Sequence, residues 1–149
     1  MIMHEEHLFE MVNEAVEFAK AELESEQELR PFAMILFEDG NVESLKADPS
    51  AHEEQYETLI AKLKQKVADD PRITALAIIA RVTIPAHFKP PVSDGIRVHL
   101  EERDKSGNKV GARFLYVPYQ LYRNAGSDNV MMQLHNPIPI AFPAEIFTK

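Results

Sequence analysis

The chain has no cysteine and only five glycines among its 149 residues. Without cysteine there is no disulfide, no thiolate zinc site, no iron–sulfur cluster and no cysteine nucleophile, and such a composition is typical of a reducing compartment. Five scattered glycines build neither a phosphate-binding loop nor a GxGxxG motif, and the GxSxG pattern of α/β-hydrolases is missing. We therefore expect a cytoplasmic protein that holds no cofactor.

Long hydrophobic runs are missing as well. The apolar run from Ala75 to Ala80 is far too short to cross a bilayer. The chain turns acidic at Glu5 and Glu6, with no basic region ahead of a long apolar run, so no secretory signal is visible. We expect no contact with a membrane.

Charge is divided unevenly along the chain. The net charge is −8, with 45% apolar and 27% charged residues, which is typical of one globular domain over residues 1–149. Residues 1–57 hold sixteen acidic and three basic side chains, whereas residues 58–149 hold eight and thirteen. An acidic surface repels phosphates, so nucleic acid is not an expected partner. The division permits self-association between oppositely charged faces, but a glutamate-rich first helix that is simply solvated is the preferred explanation.

Two helices are predicted from apolar residues that recur every three or four positions. The first runs from about His4 to Leu23. The second begins at Ser50, which forms a capping box with Glu53, and it ends before Pro71.

The remaining periodic segments predict strands. Residues 32–37 and 73–84 are apolar on both faces, which indicates interior strands covered on two sides. Asp39 and Gly40 predict a tight hairpin after the first of them. Further strands are predicted at 42–45, 96–101, 110–122 and, as a possible last one, 130–134.

These elements predict an α+β domain in which two helices pack on a mostly antiparallel sheet. The predicted order is α-β-β-α-β-β-β, with the possible further strand at its end. This order resembles that of the roadblock and profilin-like group of small α+β domains. The resemblance is one of topology without a shared motif, so it implies no activity.

One histidine pair near the start of the first helix is a candidate metal site. His4, His7 and Glu10 lie on one helical face, and an HxxH pair can bind zinc. The HExxH pattern of metalloproteases is absent, and an exposed, polar first turn needs no metal to explain it. We therefore predict no metal site.

Segments 96–101 and 110–122 are predicted to form a hairpin, joined by a three-residue loop at Lys105, Ser106 and Gly107. A polar set is predicted on its outward face. Alternation places Arg97, His99 and Glu101 on that face, and we expect Arg113 of the return strand beside them. His99 near Glu101 would be an oriented acid or base, and the arginines would hold an anion.

The proline-rich loop 85–94 would bring His87 and Asp94 to the same end of the hairpin. These two residues complete a set of six candidate ligand contacts, and no catalytic residue is assigned. Alternating charge on an open sheet face also follows from solvation alone.

The C-terminal segment 137–149 is apolar and rich in proline. We expect it to form no regular ladder, because three prolines remove donors. Exposed Ile138, Ile140 and Phe142 would form an adhesive patch, so the segment either folds back or packs on another chain. Tyr119 and Tyr122 are further interface candidates, since tyrosine combines a large ring with a polar end.

The sequence is most consistent with a non-catalytic protein-interaction or regulatory module. Its expected partner is another protein or a second copy in a homodimer. The alternative is a protein or enzyme that binds a small anionic ligand on the outward face of the 96–117 hairpin, under loop 85–94 as a lid. The alternative requires a pocket at that face.

Overall fold

The computed structural model describes residues 2–46, 55–103 and 110–147. These ranges contain two α-helices, one 3-10 turn and seven strands. The helices are α1 (Ile2–Glu26) and α2 (Gln55–Asp69), and the 3-10 turn is Ala86–Phe88. The strands are β1 (Phe32–Phe37), β2 (Val42–Lys46), β3 (Ile73–Thr83), β4 (Asp94–Arg103), β5 (Val110–Arg123), β6 (Val130–Leu134) and β7 (Ile138–Ala141).

The strands form one antiparallel sheet in the order β2-β1-β3-β4-β5-β6. β7 also pairs with β5, beyond the stretch of β5 that pairs with β6. The predicted α+β class with two helices and an antiparallel sheet is confirmed. The predicted capping box at Ser50 and the predicted loop at Lys105, Ser106 and Gly107 lie outside the described residues.

The centre of the sheet is buried on both faces, as the apolar runs in β1 and β3 predict. One face packs against α1 and carries Phe32, Met34, Ala77, Ile79 and Val98. The other packs against α2 and carries Ala33, Ile35, Leu76 and Ile78, together with Ile146 and Phe147 from the C-terminal segment. Because one helix lies on each face, β1 and β3 have no solvent side.

The pairing of β4 with β5 differs by one residue from the sequence-based expectation. Arg113 lies opposite Leu100 and Phe114 lies opposite His99. A slip of one residue moves every side chain of a strand to the other face, so the predicted place of Arg113 beside His99 is wrong. Phe114 and Tyr116 of β5 instead lie opposite His99 and Arg97 and share their face.

The C-terminal segment forms a strand, contrary to the expectation from its prolines. Residues Ile138–Ala141 pair with β5, and Pro139 lies opposite Leu115. β7 lies at the edge of the sheet, where a position without an N–H donor can face away from the neighbouring strand. The segment folds back on its own domain, because Ile146 and Phe147 are buried against α2.

We predict that the β1–β2 turn depends on a glycine for two separate reasons. Gly40 has φ +89°, and an added Cβ would lie 2.6 Å from Cε1 of His7 in α1. Gly126 has φ +78° with nothing within 4 Å of an added Cβ, so it is a matched control for backbone strain alone. Gly126→Ala should lower the free energy of unfolding by about 1 kcal/mol, and Gly40→Ala by roughly 2 kcal/mol, as measured by urea denaturation. Equal losses would mean that the ring of His7 moves aside freely.

Candidate functional site

Three of the six candidate ligand contacts lie together on β4. Arg97, His99 and Glu101 alternate along the strand and face α2 and the C-terminal segment. The outward position predicted for this set is wrong, since His99 and Glu101 both have 0% relative exposure. Because α2 and the C-terminal segment cover this face of the sheet, the alternating polar residues of β4 do not indicate a solvent-exposed face.

His99 connects its own strand to α2 by hydrogen bonds. His99 Nε2 lies 2.6 Å from Glu101 Oε2, and His99 Nδ1 lies 3.4 Å from the Tyr56 hydroxyl of α2. A tautomer with the proton on Nε2 donates to the carboxylate and leaves Nδ1 to accept from the phenol. The three side chains thus form a continuous tyrosine–histidine–glutamate chain.

The carboxylate of Glu101 also holds the C-terminal segment. Its oxygens accept the backbone N–H groups of Glu145 at 2.8 Å, Ile146 at 3.0 and 3.2 Å, and Phe147 at 3.0 Å. We call Glu101 and these three amides the tail latch. Hydrogen bonds to an ionised acceptor are about twice as strong as neutral ones, so the latch fixes residues 145–147 over the sheet.

Two opposing effects set the protonation of Glu101. Burial alone would raise the pKa of its carboxyl, but hydrogen bonds from His99 and from the three amides more than offset burial, and the pKa is lowered. The carboxylate is therefore ionised inside the protein. Burial raises the pKa of Tyr56, which the nearby Arg97 guanidinium partly opposes, so the phenol stays protonated and can donate to His99.

Aromatic rings surround the remaining polar residue, Arg97. Its guanidinium lies 5.0 Å from the ring centre of Tyr56 and 4.7 Å from that of Phe114. Phe114 in turn stacks on Phe142 with ring centres 3.9 Å apart. Among the described residues, Nε of Arg97 is buried without a hydrogen-bond acceptor. The rings of Phe114 and Phe142 also lie against the ring of His99, with centres 5.0 and 6.2 Å away, so aromatic side chains pack directly on the polar cluster.

The other three candidate ligand contacts lie elsewhere. Arg113 is exposed and lies opposite Leu100, whose side chain faces α1. Asp94 lies two residues before Ile96, which also faces α1, so it lies on the opposite face of β4 from His99. His87 is exposed in the 3-10 turn, and its ring contacts that of Phe88. The predicted six-residue site does not assemble.

Most of the interface candidates pack within the domain. Tyr119 is buried, and its hydroxyl accepts a 2.9 Å hydrogen bond from Nε of Arg81. The three apolar candidates Ile138, Ile140 and Phe142 are partly buried against Phe114, Tyr116 and Ile84. Of the five candidates, Tyr122 alone is largely exposed, at 44%.

Sequence reasoning missed Tyr56 and the amides of residues 145–147. Tyr56 is 43 residues from His99 along the chain. The amides belong to the backbone, so no side-chain pattern indicates them. The clue was the apolar pair Ile146 and Phe147, whose burial brings these amides to the carboxylate.

No group of three metal-binding side chains is found within the described ranges 2–46, 55–103 and 110–147. The side chain of His4, from the candidate metal set, is not among those described. No helix in the described part of the chain has the length and apolar character needed to cross a membrane.

No known protein family, no curated protein and no solved structure matches this chain. The molecule is defined by its own architecture, an α+β domain with a seven-stranded antiparallel sheet between two helices. The likeness to the roadblock and profilin-like element order stays a prediction.

We predict that Glu101→Gln loosens the C-terminal segment. Glutamine has no charge, and its N–H₂ group would face the N–H groups of His99 and residues 145–147, which are also donors. The variant should therefore lower the free energy of unfolding by about 3 kcal/mol. The exposed Glu14→Gln in α1 is the control and should change stability by less than about 0.5 kcal/mol. Urea denaturation measures both, and equal stability of the two variants would contradict the latch.

The tail latch should also weaken in acid. Because the pKa of Glu101 is lowered from its ordinary value of 4.5, its contribution is complete above that pH. It is lost as the pH falls through the lower pKa of the folded protein. The stability difference between the parent protein and Glu101→Gln, measured by thermal unfolding at several pH values, should therefore shrink below 4.5. A difference independent of pH would show that the carboxylate charge is not what holds the segment.

Proposed function

We propose that this protein is a non-catalytic interaction module that assembles as a homodimer. The proposal is carried by one observation, an exposed apolar pair of side chains at the corner of the sheet. Tyr122 of β5 and Met131 of β6 are direct cross-strand neighbours, exposed at 44% and 39%. We call these two side chains the corner patch.

The corner patch has the composition of an interface centre. Tyrosine and methionine are enriched in interfaces, and a cross-strand pair places their side chains side by side. Neither side chain belongs to a core cluster on either face of the sheet. Covering these two large apolar side chains with a second protein surface is favourable, because it removes their apolar area from water.

Charge favours a second copy as the occupant of the corner patch. Between residues 114 and 144 the charged side chains are Arg123 and Asp128, so this region has no net charge although the chain carries −8. Each protomer thus offers one cation and one anion close in sequence to the patch, so opposite charges are available to pair across a twofold interface. The acidic residues that would repel a second copy are concentrated in the first 57 residues.

The alternative, binding of an anionic small molecule at β4, has less support. Arg97 offers one N–H group without an acceptor among the described residues. However, His99 and Glu101 are fully buried, so a ligand cannot reach them from solvent. The nearby carboxylates of Glu101 and Glu145 would also repel an anion. Replacing His99 would disturb a buried cluster, so His99→Ala reports on folding before it reports on binding.

Homodimer formation is tested by sedimentation velocity over a range of protein concentrations. The parent protein should sediment as a dimer, and Tyr122→Ser/Met131→Ser should weaken dimerisation at least about tenfold. The control is Phe9→Ser, which removes an aromatic side chain that is 68% exposed on α1. Phe9 is distant from the corner patch along the chain and belongs to the acidic first 57 residues. This control should remain dimeric. A parent protein that is monomeric at every concentration, or dissociation of both variants alike, would refute the proposal.

A further inference from the structure

A cavity of about 440 Å³ opens where β1 begins and β2 ends. Its walls come from the second half of α1, the link to β1 and the last residue of β2. The lining residues are Phe18, Glu22, Glu26, Glu28, Leu29, Arg30, Pro31, Phe32 and Lys46. This cavity is separate from the buried cluster on β4 and from the corner patch.

The chemistry of the cavity suits a cationic side chain. Phe18 and Phe32 meet edge to face with ring centres 5.0 Å apart, which gives an aromatic surface. Lys46 Nζ lies 5.1 Å from the ring centre of Phe18, so the chain's own ammonium group already uses this surface. The lining holds three carboxylates and two cationic side chains, so its net charge is negative.

The outer edge of β2 lies beside the cavity. The N–H of Phe37 bonds to the carbonyl of Asn41 at 2.9 Å, which fixes the alternation of the β1–β2 ladder. By that alternation Val42, Ser44 and Lys46 direct their backbone N–H and C=O groups outward. Within the described part of the chain no strand pairs with this edge.

We propose that β2 and the cavity together bind an extended peptide segment of a partner protein that carries lysine or arginine. The segment pairs with the outward groups of β2 as an added strand, the mode called β-augmentation. Along such a strand alternate side chains point to the α1 face. A basic side chain that passes Lys46 on that face enters the cavity between the aromatic rings and the carboxylates of Glu22 and Glu26.

Net charge supports a basic partner at this site. The first 57 residues, which build α1, β1 and β2, hold sixteen acidic against three basic side chains. A basic segment is therefore drawn to this end of the molecule and an acidic one is repelled. The site goes beyond homodimer formation, because β2 and the corner patch lie at opposite edges of the sheet.

The first test measures binding of a labelled peptide of alternating lysine and threonine by fluorescence polarisation. Glu22→Gln/Glu26→Gln should weaken binding by roughly tenfold. The matched control Glu10→Gln/Glu14→Gln removes the same charge from the same helix outside the cavity lining, and it should weaken binding less than about twofold. Equal weakening in both doubles, or no binding by the parent protein, would overturn the proposal.

The second test separates a peptide from a small amine. The same peptide with N-methyl groups at alternate residues should lose most of its affinity, since it cannot complete the strand ladder. Hydrogen exchange at the Ser44 amide should slow when the unmodified peptide binds. Spermine that competes as well as the peptide, together with unchanged exchange at Ser44, would assign the cavity to free polyamines and refute the peptide site. Tyr122→Ser/Met131→Ser should bind the peptide normally, so failure of the homodimer leaves this test intact.

Discussion

The ionised carboxylate of Glu101 joins three parts of the chain that are distant in sequence. It lies on the central strand β4, receives a hydrogen bond from His99, and through His99 reaches Tyr56 of α2. It also accepts the amides of residues 145–147. A charge with no exposed surface is costly unless each oxygen is bonded. The fold meets this condition when His99 and the C-terminal segment are both in place, and Tyr56 of α2 in turn contacts His99.

Local periodicity was enough to predict most of the elements. The two helices, the doubly apolar β1 and β3, and the turn at Gly40 are each encoded within a few neighbouring residues. The register of β4 against β5 is not encoded in this way, because it depends on which face is buried. Alternation in β4 implied one solvent face, whereas α2 and the C-terminal segment cover that face. The expected exposure of His99 and Glu101 is therefore wrong, since both side chains are fully buried.

The rest of the candidate site depends on contacts between distant segments. Tyr56 reaches His99 across 43 residues, and the amides reach Glu101 across 44 to 46. No spacing rule connects positions so far apart. Proline caused the other error, since Pro139 argues against an interior strand but not against an edge strand such as β7. The tyrosine–histidine–glutamate cluster joins α2, β4 and the C-terminal segment by hydrogen bonds between residues that no local pattern connects.

The two edges of the sheet differ in what they leave available for a partner. On the β6 edge, Oε2 of Glu24 accepts the N–H of Met132 at 2.8 Å, so α1 blocks the middle of this strand against pairing. A contact at this edge must use side chains, and the exposed pair Tyr122 and Met131 offers them. On the β2 edge the same helix turns Glu22 and Glu26 towards a cavity instead of towards the strand. One helix thus closes one edge to backbone pairing and lines the cavity beside the other, so the proposed homodimer contact and the proposed peptide site would lie at separate edges of one small domain.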